Sequence, residues 1–117
     1  TRPNVAVANR VVGEVAGKEC VLVDDMIDTA GTITEAIKVL TNAGAKKVIV
    51  AATHGILSDP AVRRLSESGA TEVVITDTLP VSAEKRFPSL TILSIAPLLA
   101  RAILEVFEDG TVTSLFT

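Results

Sequence analysis

The chain has 117 residues, 48% of them hydrophobic, and 11 basic against 14 acidic side chains give a net charge of −3. That is enough for one domain burying roughly two thirds of its unfolded surface, and too apolar for a disordered segment. The acidic balance, with no basic run, argues against a nucleic-acid partner held by phosphate contacts, and the only aromatics are three phenylalanines. Apolar runs such as residues 48–52 are strand-length, far short of the roughly 20 residues a membrane helix needs. Cys20 is the single cysteine, which excludes an internal disulfide and a cysteine-rich zinc site. Its apolar surroundings in sequence read as a packed, inert thiol, and a reduced, cytoplasmic setting is the expectation. No basic-then-apolar leader pattern opens the chain. It begins on Thr1 and not on Met, which reads as a start inside a longer product.

In chain order, a weak strand-like segment covers residues 9–15, and a firm strand is predicted at 19–24. Cys20-Val21-Leu22-Val23 is apolar and β-branched, as in a parallel strand covered on both faces, and the acids Asp24-Asp25 are expected to stop it. Met26 and Ile27 are expected to anchor the following loop by packing beneath it. Thr32-Ile33-Thr34-Glu35 has capping-box form, predicting a helix with Thr32 as cap and Ile33, Ala36, Ile37 and Leu40 on one face. Then one grammar occurs twice: helix end, glycine, apolar strand. It covers Leu40 to Val50, with Gly44, and Leu65 to Ile75, with Gly69. Glycine suits the left-handed residue that ends a helix. Lys46 and Lys47 are expected to satisfy the carbonyls of the first of these helix ends.

The two copies place strands at 47–53 and 72–76, with a helix between them starting near Ser58-Asp59-Pro60, where Asp59 can cap. Lys85-Arg86-Phe87-Pro88-Ser89 reads as a surface connection to a strand at 91–94. A third helix at 97–108 should bury Leu99, Ala102, Ile103 and Val106, and a short strand is expected at 113–116. The alternation of strand and helix predicts an α/β fold: an open, mostly parallel, Rossmann-like three-layer sheet with helices on both faces.

Ligands of such sheets sit beyond the carboxyl ends of the strands, and three of those ends are polar: Asp24-Asp25, Thr53-His54-Gly55 and Thr76-Asp77-Thr78. The first continues into Asp28-Thr29-Ala30-Gly31-Thr32, with two hydroxyls, a glycine and closely spaced backbone N–H groups ahead of a helix. Successive N–H groups and a helix start favour a phosphate. Asp24 and Asp25 would repel a bare phosphate, so they must serve another part of the ligand, either sugar hydroxyls or a bridging Mg²⁺. His54, the only histidine, reads as a loop hydrogen-bonder rather than a general acid or base.

The run Val21-Leu22-Val23-Asp24-Asp25 with Asp28-Thr29-Ala30-Gly31-Thr32 resembles the signature of the phosphoribosyltransferase fold. The segments Ala52 to Ala61, Thr76-Asp77-Thr78-Leu79-Pro80 and Thr111-Val112-Thr113-Ser114-Leu115-Phe116 narrow the resemblance to the ribose-phosphate diphosphokinase family. The resemblance implies a single C-terminal domain over residues 1–117, part of a longer chain and lacking the N-terminal half. It implies that Asp28, Thr29, Ala30, Gly31 and Thr32 cradle the 5-phosphate of ribose 5-phosphate or of 5-phosphoribosyl 1-diphosphate. Asp24 and Asp25 would address the ribose hydroxyls, with Mg²⁺ as cofactor and ATP as co-substrate bound through the missing half. No catalytic residue is assigned: a mobile loop with a lysine and an arginine would precede Thr1, and Arg2 does not match the catalytic position. Thr111 and Thr113 resemble positions of a regulatory phosphate or nucleotide site, and the family's habit of assembly implies a homo-oligomer. A base-specific phosphoribosyltransferase and a non-catalytic regulatory subunit of the kinase are the competing readings.

Overall fold

In the computed structural model, residues 13–116 are described. Their elements are β1 (Glu19–Ile27), α1 (Gly31–Asn42), β2 (Lys47–Gly55), α2 (Ala61–Glu67), β3 (Glu72–Thr76), β4 (Leu90–Leu93) and α3 (Ala96–Phe107). Single 3₁₀ turns occupy Ala83–Lys85 and Val112–Phe116. The four strands form one sheet in the order β1-β2-β3-β4, every neighbouring pair parallel. This is the predicted α/β class. The segment predicted at 9–15 is irregular at 13–15, and its remainder lies outside the described residues.

Each crossover steps the same way across the sheet. Right-handed crossovers that never reverse put their helices on one face. Accordingly, Ile33 and Ile37 of α1 and Ala61 and Leu65 of α2 are buried in one cluster with Val48, Val50, Ala52, Val73 and Ile75 of the strands. The other face, where helices were also expected, is open at β1 among the described residues: Val21 is 60% exposed and Val23 79%. The apolar run of β1 thus marks a strand fit for cover on both faces, while α1 and α2 cover only one.

Several local expectations are corrected. β1 does not stop at its acids but runs on to Ile27, because Asp24, Met26 and Ile27 continue the ladder opposite Ala52, His54 and Gly55. Exposed carboxylates at a strand end cost no desolvation, so backbone pairing decides. Ile27 is buried as expected, but Met26 is exposed. α1 begins without a side-chain cap, on a left-handed Ala30, and Glu35 pairs with Lys38 at 3.4 Å instead of reaching back. α2 likewise has Pro60 at its cap position and no cap from Asp59. Lys47 lies 3.7 Å from Glu19 across the β1–β2 pair instead of serving the helix end. Phe87 is buried in the core, so the 85–89 connection is more than surface.

The glycine expectation holds. Gly44 has φ 94° and Gly69 φ 83°, and the N–H groups of Gly44 and Ala45 close the end of α1 on the carbonyls of Thr41 and Leu40 at 3.0 Å each.

α3 departs most from expectation. Leu99, Ile103 and Val106 are exposed, and no residue of α3 is buried. Its main packing partner among the described residues is the terminal 3₁₀ turn, which stands where a strand was expected. Helical periodicity reports a face that suits cover. It does not supply the cover.

Candidate functional site

Strand β1, its loop and the start of α1 enclose an open hollow of about 420 Å³ lined by residues 24–33. All seven residues singled out from the sequence are brought together there: Asp24, Asp25, Asp28, Thr29, Ala30, Gly31 and Thr32. Met26, Ile27 and Ile33 complete the lining. The loop turns into α1 through Ala30, a non-glycine residue at φ 65° that is only 5% exposed. A left-handed alanine costs on the order of 1 kcal/mol, so its surroundings must hold it. One such hold is Thr34. Its N–H donates to the Ala30 carbonyl at 3.0 Å, and its hydroxyl donates to the same oxygen at 2.6 Å.

The electrostatics are of two kinds. The first turn of α1 presents the positive end of a 12-residue helix and contains no acidic residue. Asp24 and Asp25 stand exposed at the end of β1, where the Asp25 N–H donates to Asp24 Oδ1 at 2.8 Å. Separately from that backbone contact, hydrogen bonding between the Asp24 and Asp25 side chains holds the Asp25 carboxyl below the usual carboxylate range. The Met26 N–H, donated to Asp25 Oδ1 at 2.8 Å, adds to this, and the nearby His54 contributes a smaller electrostatic share. A carboxylate with a lowered value favours the fold above the ordinary range near pH 3.9, and that contribution is lost as pH falls through its own value. A carboxyl-resolved NMR titration should therefore find Asp25 still mainly ionised where an ordinary aspartate is half protonated. A midpoint at or above about 3.9 would contradict the geometry.

The other two polar strand ends are occupied with each other. His54 Nδ1 and Thr78 Oγ1 are 2.7 Å apart, and the Thr76 hydroxyl donates to the Thr53 carbonyl at 2.6 Å. Asp77 Oδ1 accepts the Ile95 N–H at 2.8 Å and so ties β3 to the entry of α3. His54 is the hydrogen-bonder its position suggested. Thr53 and Thr76, with Asp24, line a separate hollow on the open sheet face and not the loop hollow itself. Thr111 and Thr113 lie apart from the loop hollow, in and just before the terminal turn, their hydroxyls 2.9 Å from one another.

Sequence reasoning missed Arg64. Its Nη1 donates to the Thr29 carbonyl at 3.1 Å, bringing a guanidinium from α2 to a loop that has no basic residue of its own. Nothing local in the sequence signals this, since α2 reaches the loop only through the crossover. Among the described residues no three His, Cys, Asp or Glu side chains converge as a metal cage. No helix among them is long and apolar enough to cross a membrane.

An open parallel sheet whose first strand ends in an acid-flanked loop at a helix start defines an α/β domain with its binding edge at the carboxyl ends of the strands. The family described as phosphoribosyl synthetase-associated domain matches residues 2–117, and the chain belongs to it. Among its relatives, the ribose-phosphate pyrophosphokinase of Bifidobacterium longum is 70% identical over 116 residues, covering 99% of this chain and 34% of the relative. The enzyme of that name from Mycobacterium bovis is 64% identical over 114 residues, covering 97% of this chain and 35% of the relative. The crystal structure of phosphoribosylpyrophosphate synthetase from Mycobacterium smegmatis superposes with a TM-score of 0.82 at 64% identity. That match covers 86% of this chain and 34% of the other. The chain spans about a third of the length of the curated relatives it matches.

Proposed function

We propose that this chain is the sugar-phosphate-binding part of a ribose-phosphate diphosphokinase, the transferase that makes 5-phosphoribosyl 1-diphosphate and AMP from ribose 5-phosphate and ATP. The observation that carries the reading is the hollow at residues 24–33, where two carboxylates and a helix-start loop face one ligand-sized space. In this reading the N–H groups and hydroxyls of residues 28–32 take the 5-phosphate, and Asp24 and Asp25 accept from the ribose hydroxyls. Mg²⁺ suits the same pair. It binds through one or two carboxylates plus substrate oxygens and keeps several waters, so it needs no closed protein cage.

In-line transfer at phosphorus depends on positioning and on neutralising charge. This chain offers the acceptor's binding loop, and the diphosphate donor requires cationic groups that its loop does not carry. The chain alone is therefore expected to bind ribose 5-phosphate without turnover. It acts as the C-terminal domain of a larger cytoplasmic homo-oligomer, in which Thr111 and Thr113 serve a regulatory anion.

Calorimetry with ribose 5-phosphate, with and without Mg²⁺, tests the reading. Saturable binding is expected at millimolar ligand, ribose itself should fail, and the double variant Asp24→Ala/Asp25→Ala should weaken affinity at least about tenfold. A folded wild-type chain that takes up no ribose 5-phosphate would sink the proposal. Transfer of a purine or pyrimidine onto 5-phosphoribosyl 1-diphosphate would instead make it a phosphoribosyltransferase.

A further inference from the structure

The left-handed turn at Ala30 is held from both sides by groups outside it. On one side Arg64 Nη1 donates to the Thr29 carbonyl at 3.1 Å. On the other, the Thr34 N–H and hydroxyl both donate to the Ala30 carbonyl, and the hydroxyl also lies 3.1 Å from the Gly31 carbonyl. The two peptide units flanking Ala30 are thus fixed independently. In a trans peptide the carbonyl and the following N–H point in opposite directions. Drawing the Thr29 carbonyl toward α2 therefore turns the Ala30 N–H away from α2. The guanidinium also lies close to the glycine that follows: a Cβ on Gly31 would stand 3.2 Å from Nη1, so a larger residue there would push Nη1 by a few tenths of an ångström. Lysine would keep the charge and a donor, but its flexible ammonium lacks the rigid planar fork that fixes the direction of the donated N–H.

We propose that Arg64 is a positioning residue of the loop: by holding the Thr29–Ala30 peptide it keeps Ala30 left-handed and the loop's N–H groups set for an anion. Its guanidinium also brings the one cationic group that contacts a loop flanked by Asp24, Asp25 and Asp28 among the described residues. The functional consequence rests on the sugar-phosphate reading above. The tether itself can be tested without any ligand.

The experiment compares wild type with Arg64→Ala, Arg64→Lys, Thr34→Val and the double variant Arg64→Ala/Ala30→Gly. One readout is amide hydrogen exchange at Thr34, whose N–H is held by the Ala30 carbonyl, measured without ligand. The other is ribose 5-phosphate affinity in the presence of Mg²⁺. Arg64 is exposed, so Arg64→Ala should keep the fold. It should speed Thr34 exchange and weaken sugar-phosphate binding, each by about tenfold, as loss of a charged hydrogen bond implies. Arg64→Lys should recover little, and Thr34→Val should act in the same direction. Because glycine takes the left-handed conformation without steric cost, the added Ala30→Gly should bring affinity back toward wild type.

Unchanged Thr34 exchange in Arg64→Ala overturns the proposal whatever the ligand does. A loss of affinity that Ala30→Gly does not relieve also overturns it, since Arg64 would then act by touching the phosphate itself. If exchange rises as expected while wild type binds no ribose 5-phosphate, the tether stands and the sugar-phosphate reading falls.

Discussion

Ile37→Ala is expected to lower stability by about 2–4 kcal/mol, the range for emptying a fully buried aliphatic site. Ile37 is 0% exposed and lies on α1 among side chains of the sheet and of α2. Alanine is the better helix former, but only by a few tenths of a kcal/mol, so the lost burial and the cavity dominate. Urea unfolding should show a lower midpoint at nearly constant slope, and the melting temperature should fall by roughly 10 °C or more. Ile103→Ala is the matched control. It removes the same atoms from a helix of the same length, but Ile103 is 56% exposed, and the loss should stay below about 1 kcal/mol. Equal losses at the two positions would mean that α3 is covered in solution. The control also tests the main correction to the fold, since periodicity alone predicts that both isoleucines are buried.

The second large effect separates stability from binding at one position. Thr32 is exposed, lines the loop hollow and lies in the first turn of α1, which has no acidic residue. Thr32→Asp puts a negative charge at the positive end of that helix, where it should add about 0.3–1 kcal/mol of stability. The same charge faces the proposed phosphate position. Two unit charges about 4 Å apart near a protein surface repel by several kcal/mol before salt screening. Affinity for ribose 5-phosphate should therefore fall well over tenfold while the melting temperature holds or rises. Thr32→Asn keeps the size and removes the charge, so it should lose only the hydroxyl's share, severalfold at most. Calorimetry and thermal melts on the three proteins decide the matter. Wild-type affinity in Thr32→Asp would remove the phosphate from the start of α1. A drop in melting temperature would mean that repulsion from Asp24, Asp25 and Asp28 in the same hollow outweighs the attraction of the helix end.

Both predictions turn on which interactions are local and which are not. The sequence alone determined the class of fold, because β-branched runs and helix-ending glycines such as Gly44 and Gly69 act within a few residues of themselves. It also determined the membership of the loop hollow. Asp24, Asp25 and residues 28–32 are contiguous, so any strand–loop–helix path keeps them together.

Tertiary structure decided what contiguity cannot. Backbone pairing with β2 carried β1 past its acids to Ile27, although the side chains alone read as a stop. The unreversed strand order put α1 and α2 on one face, leaving Val23 and the apolar face of α3 exposed despite sequence patterns that suit burial. Arg64 reaches the Thr29 carbonyl only because the β1-α1-β2-α2 crossover folds α2 back against the loop. Local patterns record what each segment can do for a ligand or a core. Which partner arrives is set by long-range packing, because hydrophobic burial is non-directional and backbone pairing fixes the register.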